Sequence, residues 1–245
     1  MFRFYTMLDQ NAKPNRMAAW LVHGYTAFGA VLAFVGASAV VHGDDRSALG
    51  AMFAAAVVDA TDGMLARRAR VREALPDVDG ARIDDIVDYI TFVFLPMLLL
   101  EASGGLYRVA ALPVIAVVML SSMYGFVAPD AKSSDYFFTG FPSYWNIVVL
   151  YLMLFHTSPT VNAIVLLVLS ALVFVRVGYV YPTRTPTLRT LTLVLAGAWA
   201  VFIAAIIVLW PSPPRWIAIG SLVFPVYYTV LSLVLHARRR PVPAT

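Results

Sequence analysis

Long apolar runs separated by short polar connections constrain this chain more than any other feature. They fall at about 18–41, 48–66, 83–101, 107–127, 143–156, 160–181, 190–210 and 216–236. Apolar runs of about 18 or more residues match the ~30 Å hydrocarbon core of a bilayer. Inside that core the backbone must satisfy its own hydrogen bonds, and a helix does so within each span. Composition agrees, since 60% of the 245 residues are apolar and only 13% are charged, whereas soluble domains carry about a quarter charged. Disorder is excluded on the same grounds. The expected fold is all-α: a polytopic membrane protein with about eight transmembrane helices, the fifth short enough to be broken. Residues 1–17, with Phe2, Phe4, Tyr5 and Leu8 among polar neighbours, read as an interfacial segment. Residues 18–236 form a single membrane domain and 237–245 a basic tail. Ala37-Ser38-Ala39 mimics a signal-cleavage site, but the apolar run before it is too long for a signal peptide.

The 18 Lys and Arg residues are shared unevenly between the two faces. With the N-terminus inside, the outer connections hold only Arg46, Arg108 and Arg215, and Arg176 lies within a span. The positive-inside rule then puts both termini in the cytoplasm, as an even number of crossings requires. The outer connections are short, so the chemistry belongs in the membrane or at its inner face. Formal net charge is only +4, and no nucleic-acid partner is expected.

Acidic residues concentrate between Asp59 and Asp88. Asp59 and Asp62, three apart, lie near the inner end of the second run; Asp84 and Asp88, four apart, lie near the inner start of the third. Each spacing puts its pair on one helix face. The two runs are antiparallel, so Asp59 levels with Asp88 and Asp62 with Asp84. At 1.5 Å per residue, Asp59 is about 12 Å from Arg67 and Asp88 about 9 Å from Arg82, a shared shallow depth. Carboxylates facing one another in low dielectric need protonation, ion pairs with nearby arginines, or divalent cations. All-oxygen ligation suits Mg²⁺, Mn²⁺ or Ca²⁺ and argues against zinc or copper. Capping and pairing with Arg67, Arg68, Arg70 and Arg82 account for Asp77, Asp79 and Asp85, but four aligned carboxylates exceed what capping requires. The small residues Gly63, Ala66 and Gly80 let a flat ligand or a neighbouring helix approach the backbone.

The string Asp59-x2-Asp62-Gly63-x2-Ala66-Arg67-x12-Gly80-x3-Asp84-x3-Asp88 resembles the signature of the CDP-alcohol phosphotransferase family, integral membrane enzymes that join a CDP-linked donor to an alcohol and release CMP. The common spacing between Arg and the second Gly is about eight; the longer twelve here resembles a bacterial subfamily whose donor is CDP-diacylglycerol and whose acceptor is choline. Val22-His23 with Thr26-Ala27, the stretch from Phe137 to Asn146, and Pro182-x-Arg184 with Leu188-Arg189 are similar to that subfamily too. The resemblance implies that Asp59, Asp62 and Asp84 hold two divalent cations, Mn²⁺ or Mg²⁺, with Asp88 as a further ligand and the general base. It implies that Gly63, Ala66, Arg67 and Gly80 line the cytidine-nucleotide pocket, that the enzyme sits in the bacterial inner membrane among its lipids with its active site at the cytoplasmic side, and that it forms a homodimer.

Choline is a quaternary ammonium ion, recognised by aromatic faces. Tyr89, Tyr144 and Trp145 are candidates for that role, against the alternative of an interfacial aromatic belt. Lys132, Arg184 and Arg189 are candidates for phosphate or lipid headgroups. The histidines, His23 included, are expected at interfaces rather than in catalysis. Two rival functions remain at this level: the same chemistry with serine, inositol phosphate or glycerol phosphate as acceptor, and a divalent-cation transporter. A transporter needs polar groups through both membrane halves, whereas here the acids cluster on one side.

Overall fold

Asn15 opens the first helix, its Oδ1 accepting from the Met17 and Ala18 N–H groups at 2.9 and 3.2 Å. The structure, a computed structural model, describes residues 14–129, 137–182 and 185–238, so the expected interfacial segment lies almost wholly outside the described residues. Helix α1 (Arg16–Val41) turns at Gly43 and Asp44 into α2 (Asp45–Arg68), whose first turn is capped by the Asp44 carboxylate on the Ser47 N–H. Ala19, His23, Thr26, Gly29, Ala33, Gly36 and Val40 are the buried residues of α1. Their three- and four-residue steps draw one stripe down the helix. That stripe packs on α2 and on the rod that follows a short loop and the single turn α3 (Val71–Ala74). In that loop the Arg70 guanidinium pairs with Glu73 and holds its carboxyl below the usual carboxylate range.

The rod is helical from Gly80 to Ala102 but not uniformly α. It runs as α4 (Gly80–Asp88), a π-helical turn (Tyr89–Phe94) and α5 (Leu95–Ala102). Pro96, near the start of α5, has no N–H and its ring would collide with the Phe92 carbonyl in a regular helix. The wider π turn relieves that collision, and the Thr91 hydroxyl takes up the Val87 carbonyl at 2.9 Å. Along the seam with α1, a methyl group at Gly29 would lie 2.5 Å from Val87 Cγ1, and one at Gly36 would lie 2.6 Å from Leu95 Cδ2. Missing side chains are what let the two helices meet this closely.

Then come α6 (Arg108–Val127), strand β1 (Phe137–Thr139), α7 (Trp145–Leu154), α8 (Pro159–Leu172), strand β2 (Gly178–Val180), α9 (Arg189–Val208), α10 (Arg215–Ser221) and α11 (Val223–Arg238). Among the described residues, the stretches 16–41, 45–68, 108–127, 189–208 and 215–238 are long and apolar enough to cross a membrane, and 145–154 and 159–172 are shorter apolar helices. The molecule is a polytopic helical membrane protein. Leu95, Leu99, Val118, Trp145, Val149, Leu166 and Ile206 are fully buried in one shared core. Phe34, Val109, Leu112, Leu120 and Val201 point outward, the exposure expected of a surface solvated by lipid.

The fold is almost entirely helical, as expected, with one departure among the described residues, a two-stranded ribbon. The run 160–181 was expected to be one span, yet its helix stops at Leu172 and Gly178–Val180 pairs antiparallel with Phe137–Thr139. Residues 173–181 are mostly Val, Phe and Tyr, which favour an extended backbone; hydropathy alone does not separate such a strand from a helix end. Helix α11 secures it through one polar edge. Tyr228 donates to the Val180 carbonyl at 2.9 Å, and Ser232 and His236 accept from the Val180 and Gly178 N–H groups at 3.1 Å.

Candidate active site

Helices α2 and α4 both pack on α1, and acidic side chains from the two meet. A carboxylate oxygen from each of Asp59, Asp84 and Asp88 lies within 4.8 Å of the other two. Oxygens on opposite sides of one Mg²⁺ sit about 4.2 Å apart, so a small closing movement would make these three a ligand set. Carboxylates this close repel one another unless protons or cations neutralise them, and an all-oxygen set suits a hard divalent ion. The cluster fits a divalent cation on spacing and donor chemistry alike. Asp88 is the last residue of α4, and the π turn begins at the next position. Such turns shift the phase of everything beyond them and recur at functional sites.

Asp62 sits deeper. It is 7% exposed, and its Oδ2 accepts from the Thr26 hydroxyl of α1 at 2.8 Å. One turn away on α1, the imidazole of His23 presses on the backbone of Gly80, where a Cβ would come 2.7 Å from its Cε1. Only glycine leaves room for that ring. On α2, the Arg67 guanidinium folds back over Gly63, whose Cβ would stand 3.4 Å from it, and Ala66 packs against the small cluster of Ala19, Val71, Ala74 and Leu75. Asp79 caps α4, accepting from the Ala81 and Arg82 N–H groups, and pairs with Arg82 at 3.2 Å. That is the capping and pairing role expected of it.

The aromatic candidates separate. Tyr144 lies close enough to Asp59 and Asp88 for both charges to act on its hydroxyl, and it contacts Tyr228, ring centroids 6.2 Å apart. Tyr89 donates to the Met119 carbonyl at 3.0 Å and meets Phe126 edge-on. Trp145 is 0% exposed, donates to Ser122 Oγ at 2.7 Å and packs on Phe141. Arg189 is exposed in the first turn of α9, and Lys132 and Arg184 lie outside the described residues.

Three neighbours of this site carried no chemical role in the sequence. Thr26 and His23 share one α1 face by their three-residue spacing, which is visible in the sequence, but their partners are far along the chain. His23, expected at an interface, is instead 6% exposed. Tyr228 joins the site from the far end of the chain, and no local pattern marks it.

No family model matches the chain. Among curated proteins it is 49% identical over 138 residues to the phosphatidylcholine synthase of Legionella bozemanae, a match covering 56% of this chain and 64% of that protein. It is 34% identical over 198 residues to the phosphatidylcholine synthase of Pseudomonas aeruginosa, covering 81% and 83%. With the phosphatidylcholine synthase of Rhizobium meliloti it shares 31% identity over 218 residues, covering 89% and 90%. The matched region spans just under two thirds of the Legionella bozemanae protein and of its Legionella pneumophila counterpart (66%), and most of the other two relatives.

Proposed function

The chain belongs to the phosphatidylcholine synthase family, within the CDP-alcohol phosphotransferases, and we propose that it transfers the phosphatidyl group of CDP-diacylglycerol to choline and releases CMP. The observation that carries this reading is the meeting of the Asp59, Asp84 and Asp88 carboxylates from two helices. Asp59, Asp62, Asp84 and Asp88 would hold two divalent cations, Mg²⁺ or Mn²⁺, which when bound neutralise the pyrophosphate and ease departure of CMP. Asp88 takes the proton of the choline hydroxyl as that oxygen attacks the phosphorus bearing diacylglycerol. The new choline–phosphorus bond forms as the bond from that phosphorus to the CMP oxygen breaks. Displacement is proposed as direct, since the chain has no cysteine to serve as a covalent nucleophile.

Gly63, Ala66, Arg67 and Gly80 form the nucleotide wall in this reading. Tyr144 is the aromatic residue proposed to face the choline ammonium, supported by its lying near enough to Asp59 and Asp88 to feel both charges; a quaternary ammonium with no proton to donate binds well on such a face. Tyr89 and Trp145 meet other aromatic rings, Phe126 and Phe141, and Trp145 is fully buried. Arg189, with Lys132 and Arg184, is proposed to meet lipid headgroup phosphates. Eight crossings with both termini cytoplasmic put the aspartates just below the inner surface; the basic residues flanking them support that placement. A panel of acceptors tests the reading. Purified protein with Mn²⁺ and CDP-diacylglycerol should release CMP fastest with choline; faster release with serine, inositol phosphate or glycerol phosphate would reassign the acceptor.

A further inference from the structure

His23 is buried to 6% exposure, yet its Nε2 has no hydrogen-bond partner. Among the described residues the only other buried side-chain polar atom in that condition is Ser170 Oγ, in α8. A buried, orphaned imidazole nitrogen is costly, and native proteins rarely keep one without a use. Its surroundings suggest the use. The ring rests on Gly80 at the start of α4, with Trp20 edge-on at 6.1 Å. The next turn of the same α1 face holds Asp62 through Thr26. Helix α1 is thus a third wall of the site, beside α2 and α4.

Along α4, Gly80 stands about 6 Å from Asp84, one turn nearer the start of the rod. Phosphates held at the aspartates leave the nucleoside to extend past Gly80, where the unpaired nitrogen waits. We infer that His23 Nε2 hydrogen-bonds the nucleoside moiety of the cytidine nucleotide, making His23 a binding and specificity residue of the donor pocket. The inference rests on the reading of Gly63, Ala66, Arg67 and Gly80 as the nucleotide wall. It adds a residue that lies outside the aspartate signature, on a helix the signature does not touch. Nε2 of a neutral imidazole either donates or accepts, so it suits a ribose hydroxyl or a base edge, whereas metal-held phosphates are already supplied with positive charge.

The test uses the full-length chain in nanodiscs with Mn²⁺, measuring equilibrium binding of CMP and of inorganic pyrophosphate together with the thermal midpoint. His23→Ala should weaken CMP roughly tenfold, the loss of one hydrogen bond. Pyrophosphate affinity and the KM for choline should stay within about twofold, since neither probe reaches the nucleoside contact. His23→Gln, with a polar tip of similar reach, should recover part of the CMP affinity, and it supplies the same comparison if His23→Ala does not fold. A folded variant that binds CMP like the wild type, with only a lower thermal midpoint, makes His23 a packing residue and overturns the inference. Equal losses for CMP and pyrophosphate overturn it as well, by moving the contact to the phosphates. Wild-type protein that binds no CMP would remove the synthase reading itself, and the inference with it.

Discussion

Thr26 steadies Asp62 from a helix that carries none of the acidic residues. Its hydroxyl donates to Oδ2 at 2.8 Å, fixing one carboxylate oxygen of a proposed metal ligand. Removing such a supporting bond commonly costs roughly ten- to a hundredfold in metal affinity. Thr26→Val should therefore weaken Mn²⁺ binding by about tenfold, with Thr26→Ser close to wild type; Mn²⁺ titration by electron paramagnetic resonance reads both. Asp88→Asn should abolish turnover while sparing Mn²⁺ and CMP binding more than Asp59→Asn does. Equal loss of binding in the two would take the role of base away from Asp88. The carboxylates themselves were legible in the sequence, because spacings of three and four put them on helix faces whatever the tertiary fold. Their supports were not. Thr26 and Asp62 are 36 residues apart, and only the packing of α1 on α2 joins them. Trp145 shows the converse: its sequence neighbourhood suits a ligand cage, yet it fills the core and satisfies its N–H on Ser122.

The helix seams set the geometry of the cluster. Val87, one residue before Asp88, is the side chain that Gly29 accommodates, at 2.5 Å from where a Cβ would stand. Overpacking such a seam costs about 1–3 kcal/mol and shifts backbone; here the shift moves α4 away from α1 and pulls Asp84 and Asp88 off Asp59. Gly29→Ala should lower transfer activity roughly tenfold without altering any polar group, and Val87→Ala in the same chain should restore most of it. Activity that fails to recover in the double variant would mean that the seam does not set the cluster. The apolar periodicity foretold that these helices exist. It did not foretell the π turn after Asp88, which follows from Pro96 within an otherwise regular rod, nor the strand pair, since Val- and Tyr-rich residues at a helix end are as hydrophobic as the helix they terminate. Both departures border the site: the π turn at Asp88, and the ribbon through Tyr228, which bonds Val180 and contacts Tyr144.

At the scale of the whole molecule, the proposed orientation puts the aspartates within reach of cytoplasmic CDP-diacylglycerol headgroups, choline and Mg²⁺. The chain contains no cysteine, so a single introduced cysteine is a clean reporter. Asp77→Cys, in the loop between α3 and α4, should react with a membrane-impermeant maleimide only in inverted vesicles; Arg46→Cys, in the first turn of α2, should react only in right-side-out cells. The opposite pattern would invert the topology. The central claim is that adjoining helices hold divalent metal at a carboxylate cluster and use it to pass a phosphatidyl group to an alcohol. Its most direct test follows CMP and phosphatidylcholine together in the purified protein, supplied with CDP-diacylglycerol and choline, before and after chelation with EDTA. The two products should appear one for one, stop on chelation and resume when Mn²⁺ or Mg²⁺ is restored; undiminished synthesis in metal-free protein, or phosphatidylcholine formed without CMP, would contradict it.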